Sequence, residues 1–252
     1  MNCLISKGQM QKLAIIALLA FAVVFLGGCG ASQKQNYDDG VSALHDGNYQ
    51  KASELFEKAG DYEDAKEYKA CSDLAYAVYE NGTSEEIEEA LNKVDTSSEA
   101  LAAVSEDCKQ VLCFVLGDGA ITKGYYSQAQ SLFEMLPTDY EFVGMSAFDR
   151  ASVAAISGEW LMTQVENNET GDTLDMPEDD TVHLTCNPDG TWSIPQFQSE
   201  GTWTLDDSSK DIDGYFYGLY VDKETLFATF IRLGDSAVLT SDGNTFYSFE
   251  RA

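Results

Sequence analysis

Histidine is nearly missing from this chain, with two residues in 252, and positive charge is scarce, with 15 lysines and arginines against 43 acids. The resulting formal charge of -28 repels polyanions, which excludes nucleic acid as a partner on electrostatic grounds and otherwise reads as a solubility feature. Catalytic signatures are missing as well: there is no G-x-S-x-G, no H-E-x-x-H and no phosphate-binding glycine loop. His45 falls at the end of the first helical stretch and His183 in a strand, and neither has a serine or cysteine motif around it. Both read as structural or surface residues, and no enzymatic activity is expected. Without a C-x-x-C there is no sign of a zinc ribbon or a thioredoxin-like redox site. The acidic runs 172–180 and 206–213 lack the ligand order of an EF-hand and read as solvated loops, so no metal or other cofactor is expected. The longest apolar run, residues 13–26, is too short to cross a bilayer comfortably.

That run follows Lys7 and Lys12 and has the length and flanks of a secretory signal. It ends in Leu26-Gly27-Gly28-Cys29, which resembles the lipobox of bacterial lipoproteins. The resemblance implies cleavage between Gly28 and Cys29, lipidation of Cys29, and a mature protein anchored to the extracytoplasmic face of the cell membrane without spanning it. Residues 1–28 are then the signal peptide, and the polar stretch 29–36 reads as a flexible tether. Loss of the signal removes two lysines and no acid, taking the charge to about -30. With 44% apolar residues and 12% aromatics, the remaining chain has ample material for a folded core. Cys71, Cys108, Cys113 and Cys186 read as buried thiols, although an exported chain also permits a bridge from Cys71 to Cys108 or Cys113.

The hydrophobic period changes near residue 155, which predicts a helical domain over 37–155 and a β domain over 156–252. In the first, Ala52, Leu55, Phe56 and Ala59 form one face of an amphipathic helix, and Ala65, Tyr68, Cys71, Leu74 and Ala75 begin the next. Gly47, Tyr49, Ala52, Leu55, Phe56 and Glu57 recur at a constant offset of 77 as Gly124, Tyr126, Ala129, Leu132, Phe133 and Glu134. Asp61-Tyr62 recurs one register later as Asp139-Tyr140. This G-x-Y-x-x-A-x-x-L-F-E pattern resembles the helix pairs of tetratricopeptide-type repeats, which implies an α-hairpin array able to present a groove to a protein or peptide. Thr83 or Ser84 caps one helix, and the run 96–99 caps another directed toward Leu116. Gly82 and Gly117-Asp118-Gly119 read as breaks, giving about six helices.

In the second domain eight short strands are expected, at 158–165, 181–186, 191–194, 201–205, 215–221, 225–232, 237–240 and 245–250. Turns at 187–190 and 241–244 carry glycine where positive φ is needed. Eight antiparallel strands of this length predict a small β-barrel. Each of the three tryptophans follows a glycine by two residues. Alternation places Trp192 with Ile194 and Trp203 with Leu205 on the inward face, whereas Leu161 and Val165 compete with Trp160 and Met162. Gly158-Glu159-Trp160, opening the first strand, resembles the G-x-W of lipocalin-like barrels. That resemblance implies an inward Trp160 and, as one option, a pocket for a small apolar ligand. Tyr215, Tyr217 and Tyr220, on a strand aromatic on both faces, are candidates with Trp160 for ligand or carbohydrate binding.

The expected protein is therefore multidomain, α then β, an α-hairpin array followed by an eight-stranded barrel. Its expected role is a lipid-anchored binding or scaffolding protein acting through its helical repeats on a protein or peptide partner, or through its barrel on a small apolar ligand or carbohydrate.

Overall fold

A glycine at the end of one helix and a second glycine seven residues earlier build the same helical hairpin twice. The computed structural model describes residues 30–252, except 81, 96, 178–181, 207–214, 223–224 and 234–235. Eight helices lie among them: α1 over residues 30–45, then α2 (Tyr49–Ala59), α3 (Ala65–Tyr79), α4 (Ser84–Leu91), α5 (Ser98–Ala103), α6 (Glu106–Thr122), α7 (Tyr126–Phe133) and α8 (Ala147–Ile156). Gly47 ends α1 with φ of 75° and Gly124 ends α6 with φ of 80°. At the first, the Asn48 and Gly47 amides donate to Ala43 and Leu44 at 2.8 and 3.0 Å; at the second, the Tyr125 and Gly124 amides donate to Ala120 and Ile121 at the same distances. This double bond pattern is a Schellman cap, whose left-handed residue favours glycine.

The earlier glycine sets how close the two helices come. A β-carbon on Gly40 would lie 2.9 Å from the Phe56 ring, and one on Gly117 would lie 2.5 Å from the Phe133 ring. Both pairs obey the offset of 77, and so do the rings that pack beside them, Tyr37 on Phe56 at 6.0 Å and Phe114 on Phe133 at 5.4 Å, both edge to face. Gly117 and Gly119 therefore do not interrupt the helix as their composition implied. They lie inside α6, and the cost of glycine there is met by the close seat it gives Phe133.

Two further differences from the sequence reading concern boundaries. Residues 30–36 belong to α1 and do not form a loose tether. Lys34 to Asp38 and Gln35 to Asp39 pair across one turn, and Tyr37 packs against Phe56, Tyr62 and Tyr68. Thr83 caps α4 in a reciprocal capping box with Glu86, and Ser97 caps α5, but the helix expected to run on to Leu116 is divided into α5 and α6.

The change from helix to strand falls at 156–158, as the period predicts, yet the chain divides into compact units at Leu112 and Cys113. The second unit thus contains α7 and α8 together with the β-strands. Its barrel strands are β3 (Gly158–Asn167), β5 (His183–Cys186), β6 (Thr191–Ile194), β7 (Ser199–Leu205), β8 (Tyr215–Tyr220), β9 (Leu226–Leu233), β10 (Ser236–Thr240) and β11 (Thr245–Arg251). Consecutive members pair antiparallel, and β11 returns to pair with β3, closing an eight-stranded barrel. A two-residue hairpin, β1 (Glu141–Phe142) and β2 (Met145–Ser146), precedes it. The additional β4 (Asp172–Asp175) extends the edge of β3 beyond β5, in a segment that its acidic composition made read as a loop.

A bulge settles which side of β3 faces in. Gln164 pairs with Ser248 and Met162 with Phe249, so Thr163 is an extra residue skipped in the register with β11. Trp160 and Met162 point inward before it, and Val165 packs on the core after it. The competition between the two sets in the sequence is resolved by spending one residue on the bulge. Trp192 and Trp203 are buried as alternation predicts, with their indole N–H groups donating to the carbonyls of Thr202 and Asn187 at 3.1 and 3.0 Å. Gly201 stands opposite Trp192 in register, and a β-carbon there would lie 1.8 Å from the Tyr220 carbonyl oxygen and 3.0 Å from Trp192 Nε1. This glycine makes room first for the close-lying Tyr220 backbone and then for the tryptophan across the ladder, not for the one that follows it in sequence.

Candidate functional site

The barrel has two unlike ends. At one, α8 closes the interior: Trp160 donates to the Ile156 carbonyl at 2.8 Å, Tyr217 donates to Ser152 at 2.6 Å, and the Arg251 guanidinium lies 4.8 Å from the Trp160 ring centre while donating to Ala154 and Ala155. At the other, reached by the turns β6–β7, β8–β9 and β10–β11, a pocket of about 270 Å³ remains. It is lined chiefly by Met162, Ile194, Phe197, Phe227, Leu239 and Phe249, with Ser199, Ser241 and Tyr247 supplying hydroxyls. The large hydrophobic residues exposed among the described part of the barrel, Leu174, Phe197, Val221 and Leu226, all lie toward this end, at 43 to 65% exposure. Exposed apolar groups gathered around a concave apolar site mark a binding surface more than chance scatter does.

The aromatic residues singled out from the sequence lie elsewhere. Trp160 and Tyr217 are fully buried, and their polar atoms bond to α8, so they serve the core. Tyr215 shares Tyr217's face of β8, half-buried between Phe148 and Tyr217. Tyr220 is on the opposite face, and its carbonyl accepts from Trp192. The four do not meet as one platform. The apolar mouth was missed because it gathers single residues from strand ends far apart in the chain; the one local signal was Pro195-Gln196-Phe197, a short apolar insertion between two strands.

Two recesses mark the repeated hairpins. One, of about 450 Å³, is lined by Gly47, Asn48, Tyr49, Gln50 and Lys51 with Glu54, Tyr76 and Glu80. The other, of about 420 Å³, is lined by Gly124, Tyr125, Tyr126, Ser127 and Gln128 with Gly158, Glu159, Arg251 and Ala252. The first five residues of each correspond at the offset of 77. Tyr76 and Tyr125 are about half exposed beside them.

The first unit also holds a network of carboxylates and phenols. Asp64 accepts from Tyr37 and from both the amide and the hydroxyl of Ser105, at 2.9 and 2.7 Å for the latter two. Burial would raise its pKa, but the hydrogen bonds from Ser105 and Tyr37 outweigh burial and hold it below the usual carboxylate value. Asp107 accepts from Tyr68 and lies 3.1 Å from His45 Nε2; the hydrogen bond to His45 is the main reason its pKa is lowered, and the same bond raises His45. Burial pushes the Tyr37 and Tyr68 phenols well above their ordinary range. These bonds tie α1, the start of α3 and the start of α6 together. In the second unit His183 Nδ1 contacts Glu159. Both histidines are thus held by carboxylates.

All four cysteines among the described residues are buried, and burial pushes the Cys108 and Cys186 thiols far above their ordinary acidity, leaving them poor nucleophiles. Among the described residues no group of three or more histidine, cysteine or acidic side chains is placed to hold a metal ion. The acidic run 172–180 begins as β4; its residues 178–180, residues 207–213, and the Gly28-Cys29 position expected to be cleaved and lipidated lie outside the described residues. No described helix is long and apolar enough to cross a membrane. Compared with known proteins, the chain matches no family model, no curated protein and no solved structure.

Proposed function

We propose that this is a lipid-anchored, extracytoplasmic binding protein that acts through its tetratricopeptide-like hairpins on a protein or peptide partner. The observation that carries the reading is the repeated recess: the same five positions of the same turn line a concavity in both copies, although the walls completing them differ. A photo-crosslinking residue placed at Tyr76 or Tyr125 of the full chain should capture one discrete envelope protein that the same residue at exposed Met135 does not. Equal capture from all three positions, or none, ends this reading. Anchoring rests on the resemblance of Leu26-Gly27-Gly28-Cys29 to a lipobox; Cys29→Ala should move the protein from membrane to soluble fractions, and unchanged fractionation removes that part.

A second reading has its own support. The open, apolar end of the lipocalin-like barrel favours binding of a small ligand there, in a pocket that the side chains of the core leave unfilled. Saturable binding of a small apolar dye, abolished by Ser241→Trp at the rim, is the expected result, and dye binding unchanged by that substitution removes it.

A further inference from the structure

The lining of the barrel pocket narrows what it accepts. All nine described residues that line it are uncharged, and they present two kinds of surface. One is aromatic: Phe197, Phe227 and Phe249 offer their rings, and Phe227 is stacked on buried Trp192 at 5.0 Å, which fixes its plane. The other carries hydroxyls. Leu239 stands opposite Tyr247 across the β10–β11 ladder, and Ser241 follows Leu239 by two residues, so Tyr247 and Ser241 reach the pocket from the same end of one hairpin. Ser199, the third hydroxyl, already donates to the Phe197 carbonyl at 3.3 Å. Those of Ser241 and Tyr247 bond to no other described residue, so both keep a donor and an acceptor for a ligand. A charged group taken in among these residues loses its hydration and meets no counter-charge from them, whereas a hydroxyl exchanges water for two matched partners.

We propose that the open end of the barrel binds a small uncharged aromatic alcohol, its ring among Phe197, Phe227 and Phe249 and its hydroxyl on Ser241 and Tyr247. This deepens the barrel reading given above and rests on it. The size follows from the volume: an apolar cavity of roughly 150 Å³ holds a benzene ring, so about 270 Å³ takes a ring with a few methylenes and a hydroxyl. The preference for a ring follows from the lining, because aromatic faces and edges pair with one another and the Met162 thioether adapts to a ring edge. The same ring carrying an ammonium or a carboxylate is disfavoured by its charge, whichever the sign.

Calorimetric titration of the full chain at molar salt, where the fields of surface charges are screened, reads the lining alone. Four probes share one ring and chain: 3-phenylpropanol, propylbenzene, 3-phenylpropanoate and 3-phenylpropylammonium. The alcohol should bind at least about tenfold more tightly than either ion. Ser241→Ala combined with Tyr247→Phe should weaken the alcohol about threefold to tenfold more than it weakens propylbenzene, the range of one ordinary hydrogen bond. The alcohol 3-cyclohexylpropanol, more apolar but without a π face, should bind no better than 3-phenylpropanol. Tryptophan emission gives a second readout through the stacking of Trp192 on Phe227, and Ser241→Trp should abolish binding of every probe. If either ion binds as tightly as the alcohol, if the double variant costs the two neutral probes alike, or if the cyclohexyl alcohol binds better, the proposed ligand class is wrong while the barrel still binds. If 3-phenylpropanol fails to bind at millimolar concentration to a chain with native circular dichroism, both the class and the barrel reading fall.

Discussion

The hairpin α1–α2 and the hairpin α6–α7 share their geometry but not their chemistry. Gly40 beneath Phe56 matches Gly117 beneath Phe133, and Gly47 matches Gly124 to within 5° in φ. Around this common frame the first copy is wrapped in tyrosines, with Tyr62 and Tyr68 beside Tyr37 and the hydroxyls of Tyr37 and Tyr68 bonded to Asp64 and Asp107. The second is wrapped in Phe142 and Tyr140 beside Phe114, and its polar element is the pair formed by buried Asp118 and Arg150. The position matching Asp118 in the first copy is Val41. Backbone approach constrains a residue absolutely, because a β-carbon either fits or does not, whereas a ring's edge accepts either a hydroxyl network or an apolar neighbour. The two hairpins therefore share the glycines, the phenylalanine and the tyrosine, alanine, leucine and glutamate of the repeat, and differ in the rings and polar groups packed around them.

The equivalence is tested most severely by removing the shared ring. Phe56→Ala and Phe133→Ala should each destabilise their own hairpin by about 3–5 kcal/mol, as loss of a buried phenylalanine does elsewhere. Amide hydrogen exchange over residues 37–56 and 114–133 reads each locally, and costs differing by more than twofold would break the comparison. Asp118→Ala should cost about 3 kcal/mol, the lower end for a broken buried pair because Arg150 is partly exposed. The same exchange experiment should show Val41→Ala costing less than half of that. Gly117→Ala should destabilise by about 1–3 kcal/mol from overpacking despite the gain in helix propensity, and Gly40→Ala by less, since its contact is the looser by 0.4 Å. A stabilised Gly117→Ala chain in thermal denaturation would show that the Phe133 ring moves aside freely.

The smallest effect is one of pH and belongs to the first hairpin alone. Its bond to Asp107 raises His45, so that contribution is complete below about pH 6.5 and fades as pH rises through the folded value. Asp107 is lowered by the same bond, so its contribution is present above about pH 3.9 and fades as pH falls through its folded value. His45→Gln should remove this mildly acidic maximum, at a cost under about 1 kcal/mol because both side chains are roughly half exposed. Helical ellipticity monitored against pH measures it, and an unchanged profile would show that the pair adds nothing.

The sequence was most legible where one physical rule acted alone. Strand alternation located all eight barrel strands and the inward faces of Trp192 and Trp203, and the recurring glycine, tyrosine and phenylalanine located both hairpins. It misled where two rules competed. Gly117-Asp118-Gly119 has the composition of a turn, but the tertiary seat of Phe133 outweighs helix propensity. Asp172-Thr173-Leu174-Asp175 has the composition of a loop, yet pairing with β3 makes it a strand. Val165 obeys alternation only after the bulge at Thr163. The mouth of the barrel was invisible for a different reason, since no local pattern reports that Met162, Phe197, Phe227 and Phe249 become neighbours.

The pairing of β3 with β11 also sets an order of events. Arg251 grips the Ala154 carbonyl across 97 residues of sequence, so Trp160 stays uncovered on a nascent chain until the last barrel strand has emerged. The hairpins, built from near neighbours, need no such wait. During synthesis the helical part is free to fold as it appears, while the barrel passes through an interval with an open edge and exposed indole, the interval in which a chaperone has something to hold.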